Sequence, residues 1–254
     1  MLSPRDIFNK TGFWFGTRMF SPEHLARIVE HFDAVIGGKY ETGTAPHGVN
    51  QFGDAMVKVS NAWLADFELR RVVMDHRIAR IAAHLLGVDE LYLWADSLYW
   101  KAPLKHTDQS VIGWHQDKQY WDVSSTDNMI TAIVNLYRAD SLSGGMQYGE
   151  GSHHWGLVGG SEALAGAENA GQHAELPIPT GEKCNVIIPQ LPPGCVTFHH
   201  ALTFHGSGPN LSEEPRRSIT IHMIAGEGRL MRPFGSLMTG DLFRGPMFPR
   251  LFPQ

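Results

Sequence analysis

The sequence predicts a mainly-β fold, a barrel or sandwich buttressed on one face by α-helices. Three observations carry that expectation. Helical periodicity dominates the first third of the chain and stops at Gly87. From Glu90 onward, short apolar and aromatic runs are separated by glycine-rich turns. The length, 254 residues, is near the upper limit for one hydrophobic core and ordinary for one barrel domain. One domain is therefore expected over 1–254, with helical support mainly in 1–88 and a barrel core over about 90–226.

Taken in order, Ser21 reads as an N-cap with Pro22 at the first helical position. Leu25, Ile28, Val29, Phe32, Val35 and Ile36 recur at helical spacing, and Gly37-Gly38 ends the run. Residues 39–60, broken by Gly43, Pro46, Gly48 and Gly53, read as a loop. A second helical region spans about Asp66 to Leu86, with Asp75 capping its latter half and Gly87 closing it. Leu91–Trp100, Met129–Leu136, Val196–Phe204 and Ser218–Ile224 read as strands. Gly144-Gly145 and Gly149 to Gly151 mark turns, and the small-residue stretch 156–171 suits a short helix or lid.

Composition narrows the function classes. Hydrophobic residues at 43% and charged residues at 19% exclude a disordered chain. No dense Lys/Arg stripe provides a nucleic-acid footprint. The first residues lack the basic-then-apolar layout of a signal peptide, and no apolar run approaches bilayer length. The expectation is a cytoplasmic protein acting on a small molecule, without nucleic-acid or membrane partners. Cys184 and Cys195 are expected as reduced, mostly buried thiols.

The chemistry is concentrated at Trp114-His115-Gln116-Asp117. On an extended segment, residues two apart point to the same side, so His115 and Asp117 converge. Asp117 stands among Trp114, Tyr120 and Trp121, where an unpaired carboxylate is costly to bury. A distant histidine, His205, follows an apolar strand and opens a tight turn, His205-Gly206-Ser207-Gly208-Pro209. Two imidazoles and one carboxylate cover one face of an octahedral metal and leave the opposite face open, as non-haem Fe(II) oxygenases require. Arg216, at the start of the next strand, is expected to run antiparallel to the strand ending at His205 if the loop between them is a hairpin. Of Arg216 and Arg217, alternation turns one outward. An inward guanidinium near a barrel mouth needs an anion, and its planar fork binds a carboxylate through two hydrogen bonds. A metal with an arginine several ångströms away fits 2-oxoglutarate. A structural salt bridge to a protein acid is the plainer alternative.

These segments resemble the phytanoyl-CoA dioxygenase family of Fe(II)/2-oxoglutarate-dependent oxygenases. The matching stretches are WHQD at 114–117, GGMQYGEGSHHWG at 144–156 and FHHALTFHGSGPNLSEEPRRS at 198–218. The resemblance implies a double-stranded β-helix, a jelly-roll or cupin-like barrel. It implies that His115, Asp117 and His205 bind Fe(II), that Arg216 binds the cosubstrate 2-oxoglutarate, and that Ser207 contacts the same distal carboxylate. Ser97 falls where the family often supplies another cosubstrate contact, and Ile133 stands where family members often carry tryptophan. The implied reaction couples O2 to decarboxylation of 2-oxoglutarate to succinate, with ascorbate as reductant, and oxidises a C–H bond of a small metabolite. Halogenases of this general type have a small residue at the carboxylate position, so Asp117 argues for hydroxylation or a related oxidation. Two other readings stay open: a cupin-type metalloenzyme without 2-oxoglutarate, and a sensor that binds metal and ligand without turnover.

The remaining histidines have plainer readings. His153-His154 sits in a glycine-serine turn and is expected to be structural. His199 and His200 are expected to pack behind the site, and His106 and His222 have no assigned partner. Tyr99, Trp100 and Trp121 are expected in the core rather than in a cavity.

Overall fold

A computed structural model describes residues 2–104, 110–121, 124–158, 175–233 and 238–253. Two antiparallel sheets form the barrel. The larger one combines β1 (Phe13–Arg18), β2 (Gly48–Phe52), β3 (Met56–Ser60), β4 (Leu91–Lys101), β6 (Met129–Asn135), β9 (Cys195–His200) and β11 (Arg216–Ala225) in the order β1-β9-β6-β11-β4-β3-β2. The short β12 (Arg250–Phe252) pairs with the start of β4. The smaller sheet runs β5 (Ile112–His115), β10 (His205–Ser207), β7 (Met146–Gly149) and β8 (Val186–Ile187).

The helices form where local signals agree. In α1 (Pro4–Thr11), Ser3 and Asp6 build a capping box. In α2 (Pro22–Ile36), the Ser21 hydroxyl accepts the N–H of His24, and Leu25, Ile28, Phe32 and Val35 are buried along one face. The second helical region divides into α3 (Phe67–Val73), capped by Asp66, and α4 (His76–Leu86), capped by Asp75. Gly87 ends α4 in the left-handed conformation, φ 73°, which a residue without Cβ adopts at no steric cost. Among the described residues no helix is long and apolar enough to cross a membrane.

The core lies between these helices and the outer face of the larger sheet. Leu91, Leu93 and Leu98 of β4, Ile130, Ala132 and Val134 of β6, Val196 and Phe198 of β9, and Ile219, Ile221 and Met223 of β11 all pack with α2 and α4. By strand alternation the intervening residues face the barrel interior. Most of those are polar: Thr131, His199, Arg216, Ser218, Thr220 and His222 line one inner pocket, with Ile133 of β6 an apolar exception. Each central strand therefore presents an apolar row to the helices and a mainly polar row to the cavity.

Several expectations need correction. Residues 39–60 hold a β-hairpin, β2–β3, turning at Gly53 with φ 54°. The alternation of Val57 and Val59 with polar neighbours marks it, but the glycines obscure it. The first third is not wholly helical, because β1 closes the larger sheet against β9. Val196–Phe204 is not one strand: β9 stops at His200, a turn follows, and β10 crosses to the smaller sheet. The loop after His205 is consequently no hairpin, and β11 pairs with β4 and β6 instead. The expected helix or lid over 156–171 lies, from 159 onward, outside the described residues, as does His106.

Candidate metal centre

His115 is the last residue of β5, and Asp117 opens the single helical turn α5 (Asp117–Tyr120). The segment is thus extended only as far as Gln116, at φ −110° and ψ 130°, and that is enough to keep both side chains on one side. His205, the first residue of β10, stands directly opposite His115 across the β10–β5 ladder, with ring centroids 4.2 Å apart. Gly206 allows that pairing. A Cβ there would lie 2.8 Å from the Ile112 carbonyl oxygen.

Three donor atoms meet. His115 Nε2 is 3.8 Å and His205 Nε2 is 3.5 Å from Asp117 Oδ1, and all three atoms lie within 4.8 Å of one another. The orientation of each ring is set from behind. His115 Nδ1–H donates to the Gly113 carbonyl at 2.8 Å, and His205 Nδ1–H donates to the Thr203 carbonyl at 2.9 Å. With Nδ1 protonated, each Nε2 presents a lone pair to the shared point, the arrangement metal-ligating histidines use. Burial and the neighbouring His205 push the His115 pKa down to about 3, so its imidazole is neutral at physiological pH. Burial works to raise the Asp117 pKa, but His205 and His199 beside it outweigh that and hold the carboxyl well below its usual range. Two imidazoles and one ionised carboxylate match the donor set of a non-haem Fe(II) site.

Arg216 lines the same pocket, as do Tyr99, Ile112, Ile133 and Met146. It is buried, and its Nη2 has no hydrogen-bond partner, an expensive arrangement for a guanidinium without an anion. Burial lowers its pKa to about 10, which leaves it charged. Arg217 turns outward to Asp33, as alternation requires, with Nε–Oδ1 2.7 Å. The orphaned Nη2 and the open face of the donor set together fit a chelating keto acid with a distal carboxylate. Ser207 and Ser97 lie outside the pocket lining. The Ser207 hydroxyl instead accepts a 2.6 Å hydrogen bond from Lys101 Nζ, and the Ser97 carbonyl accepts from the Thr220 hydroxyl.

Of the polar residues around this centre, Lys101, Thr131 and His222 had no expected role in it, whereas His199 stands behind the site as expected. Lys101 is fully buried opposite Arg216, donating to Ser207 Oγ and the Gly208 carbonyl. Thr131 donates to Asp117 Oδ2 at 2.6 Å, and His199 donates to the same oxygen at 3.0 Å. His222 Nδ1 sits 2.8 Å from Thr131 Oγ1 and its ring packs edge-on against Trp121. For His222 the alternation itself was a signal: Arg216, Ser218, Thr220 and His222 are spaced by two on one strand. Tyr99 lines the pocket rather than the core, Trp121 is buried in the core as expected, and Trp100 packs half-buried against it. His153 is structural as expected, its Nε2–H donating to the Asn9 carbonyl.

The sequence profile of the phytanoyl-CoA dioxygenase family matches residues 8–218. A probable alpha-ketoglutarate-dependent hypophosphite dioxygenase from Stutzerimonas stutzeri is 26% identical over 259 residues, covering 91% of this chain and 82% of the relative. An ectoine dioxygenase from Sphingopyxis alaskensis is 26% identical over 178 residues, covering 66% of this chain and 57% of that protein. Among solved structures, the epimerase SnoN in complex with Fe3+, alpha-ketoglutarate and nogalamycin RO superposes with a TM-score of 0.77 at 20% identity, covering 98% of this chain and 97% of that one. EctD from S. alaskensis with 2-oxoglutarate and 5-hydroxyectoine gives a TM-score of 0.69 at 22% identity, covering 91% and 78%. At that identity the superpositions establish the fold alone, and the profile match over most of the chain establishes the rest: this protein belongs to the phytanoyl-CoA dioxygenase family of Fe(II)/2-oxoglutarate-dependent oxygenases.

Proposed function

We propose that this oxygenase hydroxylates a C–H bond of a small-molecule metabolite, with decarboxylation of 2-oxoglutarate to succinate. The observation that carries the reading is the pairing, within one pocket, of the His115–Asp117–His205 donor set with a buried Arg216 whose Nη2 lacks a partner. In this reading His115, Asp117 and His205 hold Fe(II), and Arg216 takes the distal carboxylate of 2-oxoglutarate, with Lys101 and Ser207 behind it. Bound there, iron and 2-oxoglutarate supply O2 activation coupled to oxidation of the keto acid. The chain's own work is to orient both reactants and keep water out. Ile112, Ile133 and Met146 give the cosubstrate region its apolar wall. A carboxylate at position 117 supports oxygen transfer to the substrate, because no ligand position is ceded to a halide. The two relatives are named for hypophosphite and ectoine, both small molecules, which supports a small-molecule substrate here.

The test is a metabolite screen with Fe(II), 2-oxoglutarate and ascorbate under air. A true substrate accelerates succinate release and gains one oxygen atom by mass spectrometry. A product of unchanged mass, or lighter by two hydrogens, rules out hydroxylation. Protein that releases no succinate under any condition removes 2-oxoglutarate from the reading.

A further inference from the structure

We propose that Thr131 and His199 are positioning residues that restrict Asp117 to one-oxygen ligation of the metal, with His222 fixing the direction of the Thr131 proton. The proposal rests on the metal-binding reading of His115, Asp117 and His205. The two Asp117 oxygens have different surroundings. Oδ1 faces the two Nε2 atoms, at 3.5 Å and 3.8 Å. Oδ2 receives two hydrogen bonds, from Thr131 Oγ1 at 2.6 Å and from His199 Nε2 at 3.0 Å. Both are charge-assisted, and both would have to be surrendered before Oδ2 could reach a metal beside Oδ1.

The proton positions follow from the acceptors. A carboxylate oxygen only accepts, so His199 carries its proton on Nε2. Its Nδ1 is then a bare lone pair, and that atom is buried without a partner. The fold thus leaves one acceptor unsatisfied to keep the donor aimed at Asp117. Thr131 has a single hydroxyl proton, and the carboxylate takes it. Thr131 Oγ1 must then accept at its other contact, so His222 donates from Nδ1 at 2.8 Å.

Backbone register holds the three residues together. His199, Thr131 and His222 are direct partners across β9, β6 and β11, one row of the larger sheet pointing inward. Such a row moves as a unit, unlike three loop side chains. Its consequence is a count of positions. A metal held by two imidazoles and one carboxylate oxygen keeps three of six positions, two for a chelating keto acid and one more. If the second carboxylate oxygen also bound, the last open position would be lost.

Co(II) is the probe, because its affinity is measured by chelator competition and its visible absorption weakens as coordination number rises. Thr131→Val and His199→Phe should each weaken Co(II) binding by about 10- to 100-fold. With 2-oxoglutarate present, the Co(II) absorption of each variant should also weaken as Oδ2 joins the metal. Thr131→Ser and His199→Gln, which restore the donors, should recover both readouts. Thr131→Val is nearly isosteric, so it carries the test even if His199→Phe does not fold. Variants that lose thermal stability yet keep wild-type Co(II) affinity and spectrum overturn the proposal, since the row is then merely structural. Wild-type protein that binds no Co(II) overturns the metal reading itself, a different result.

Discussion

Arg216 and Lys101 stand directly opposite each other across the β11–β4 ladder, and both are buried. Among the described residues no carboxylate pairs with either. Burial, then the adjacent guanidinium, drives the Lys101 pKa well below its usual value. Two basic groups buried side by side without an acid destabilise the free protein, so an entering carboxylate relieves a cost already present. Thermal denaturation should therefore show stabilisation by 2-oxoglutarate or a non-reactive dicarboxylate analogue, increasing with concentration. Arg216→Met should lose most of that response while unfolding at or above the wild-type temperature without ligand. Equal ligand-induced shifts in the variant and the wild type would place the anion site elsewhere.

The donor set makes a separate prediction. Asp117→Ala and His205→Ala should each abolish substrate-dependent succinate formation and metal uptake, because each removes one of three converging atoms. Chelator-treated wild type should be inactive and recover with Fe(II). It should not recover with Zn(II), which has no redox chemistry to offer. Turnover in either variant at the wild-type rate would refute the ligand assignment.

How much of this was legible beforehand depends on the range of the cause. His115 and Asp117 are two residues apart, so local alternation predicts their convergence even though a helical turn begins at Asp117. Capping chemistry is equally local, and Ser21, Asp75 and Gly87 do what their residue types suggest. His205 opposite His115 is a pairing across ninety residues, reachable only through the family motif. The Thr131–His199–His222 row was hidden for a physical reason. It exists only where three strands meet in register, and no one strand reveals its neighbours. Sheet exchange between β9 and β10 was hidden likewise, because an apolar run does not announce which sheet it joins.

Asp96 supplies a pH dependence unrelated to the site. Its carboxylate is fully buried and accepts the backbone N–H groups of Ala62 and Trp63, at 3.1 Å and 3.3 Å. Burial outweighs those bonds and pushes its pKa up to about 7, against 3.8 for the ordinary group. Between those values the folded chain holds a proton that the unfolded chain has released. Stability contributed here is full below pH 3.8 and declines as pH rises toward about 7. Urea unfolding of wild type and Asp96→Asn at about pH 5 and about pH 8 tests this. The advantage of wild type over the variant should shrink at the higher pH. His31, raised by its bond to Asp66 against the effect of burial, titrates in both proteins and drops out of the comparison. A difference independent of pH would mean that Asp96 is ionised throughout.

Gln116, the residue between His115 and Asp117, ties three segments together. Its side chain is fully buried. Nε2 donates to the Gly156 and Leu202 carbonyls, both at 2.7 Å, and Oε1 accepts the Val158 N–H at 2.8 Å. The Leu202 bond fixes the turn that delivers His205, and the other two fix the chain at 156–158 against the turn that delivers Asp117. Gln116→Leu keeps the bulk but leaves the buried Leu202 carbonyl and the half-buried Gly156 carbonyl and Val158 N–H without this partner, a loss of about 2 kcal/mol. Gln116→Glu keeps the Val158 bond and sets a carboxylate against two carbonyl oxygens, so it should be no better. Both variants should lower the denaturation midpoint and weaken metal binding together, because the same bonds hold the fold and the His205–Asp117 geometry. A variant that loses stability while binding Co(II) with wild-type affinity would separate the two roles and leave Gln116 a purely structural tie.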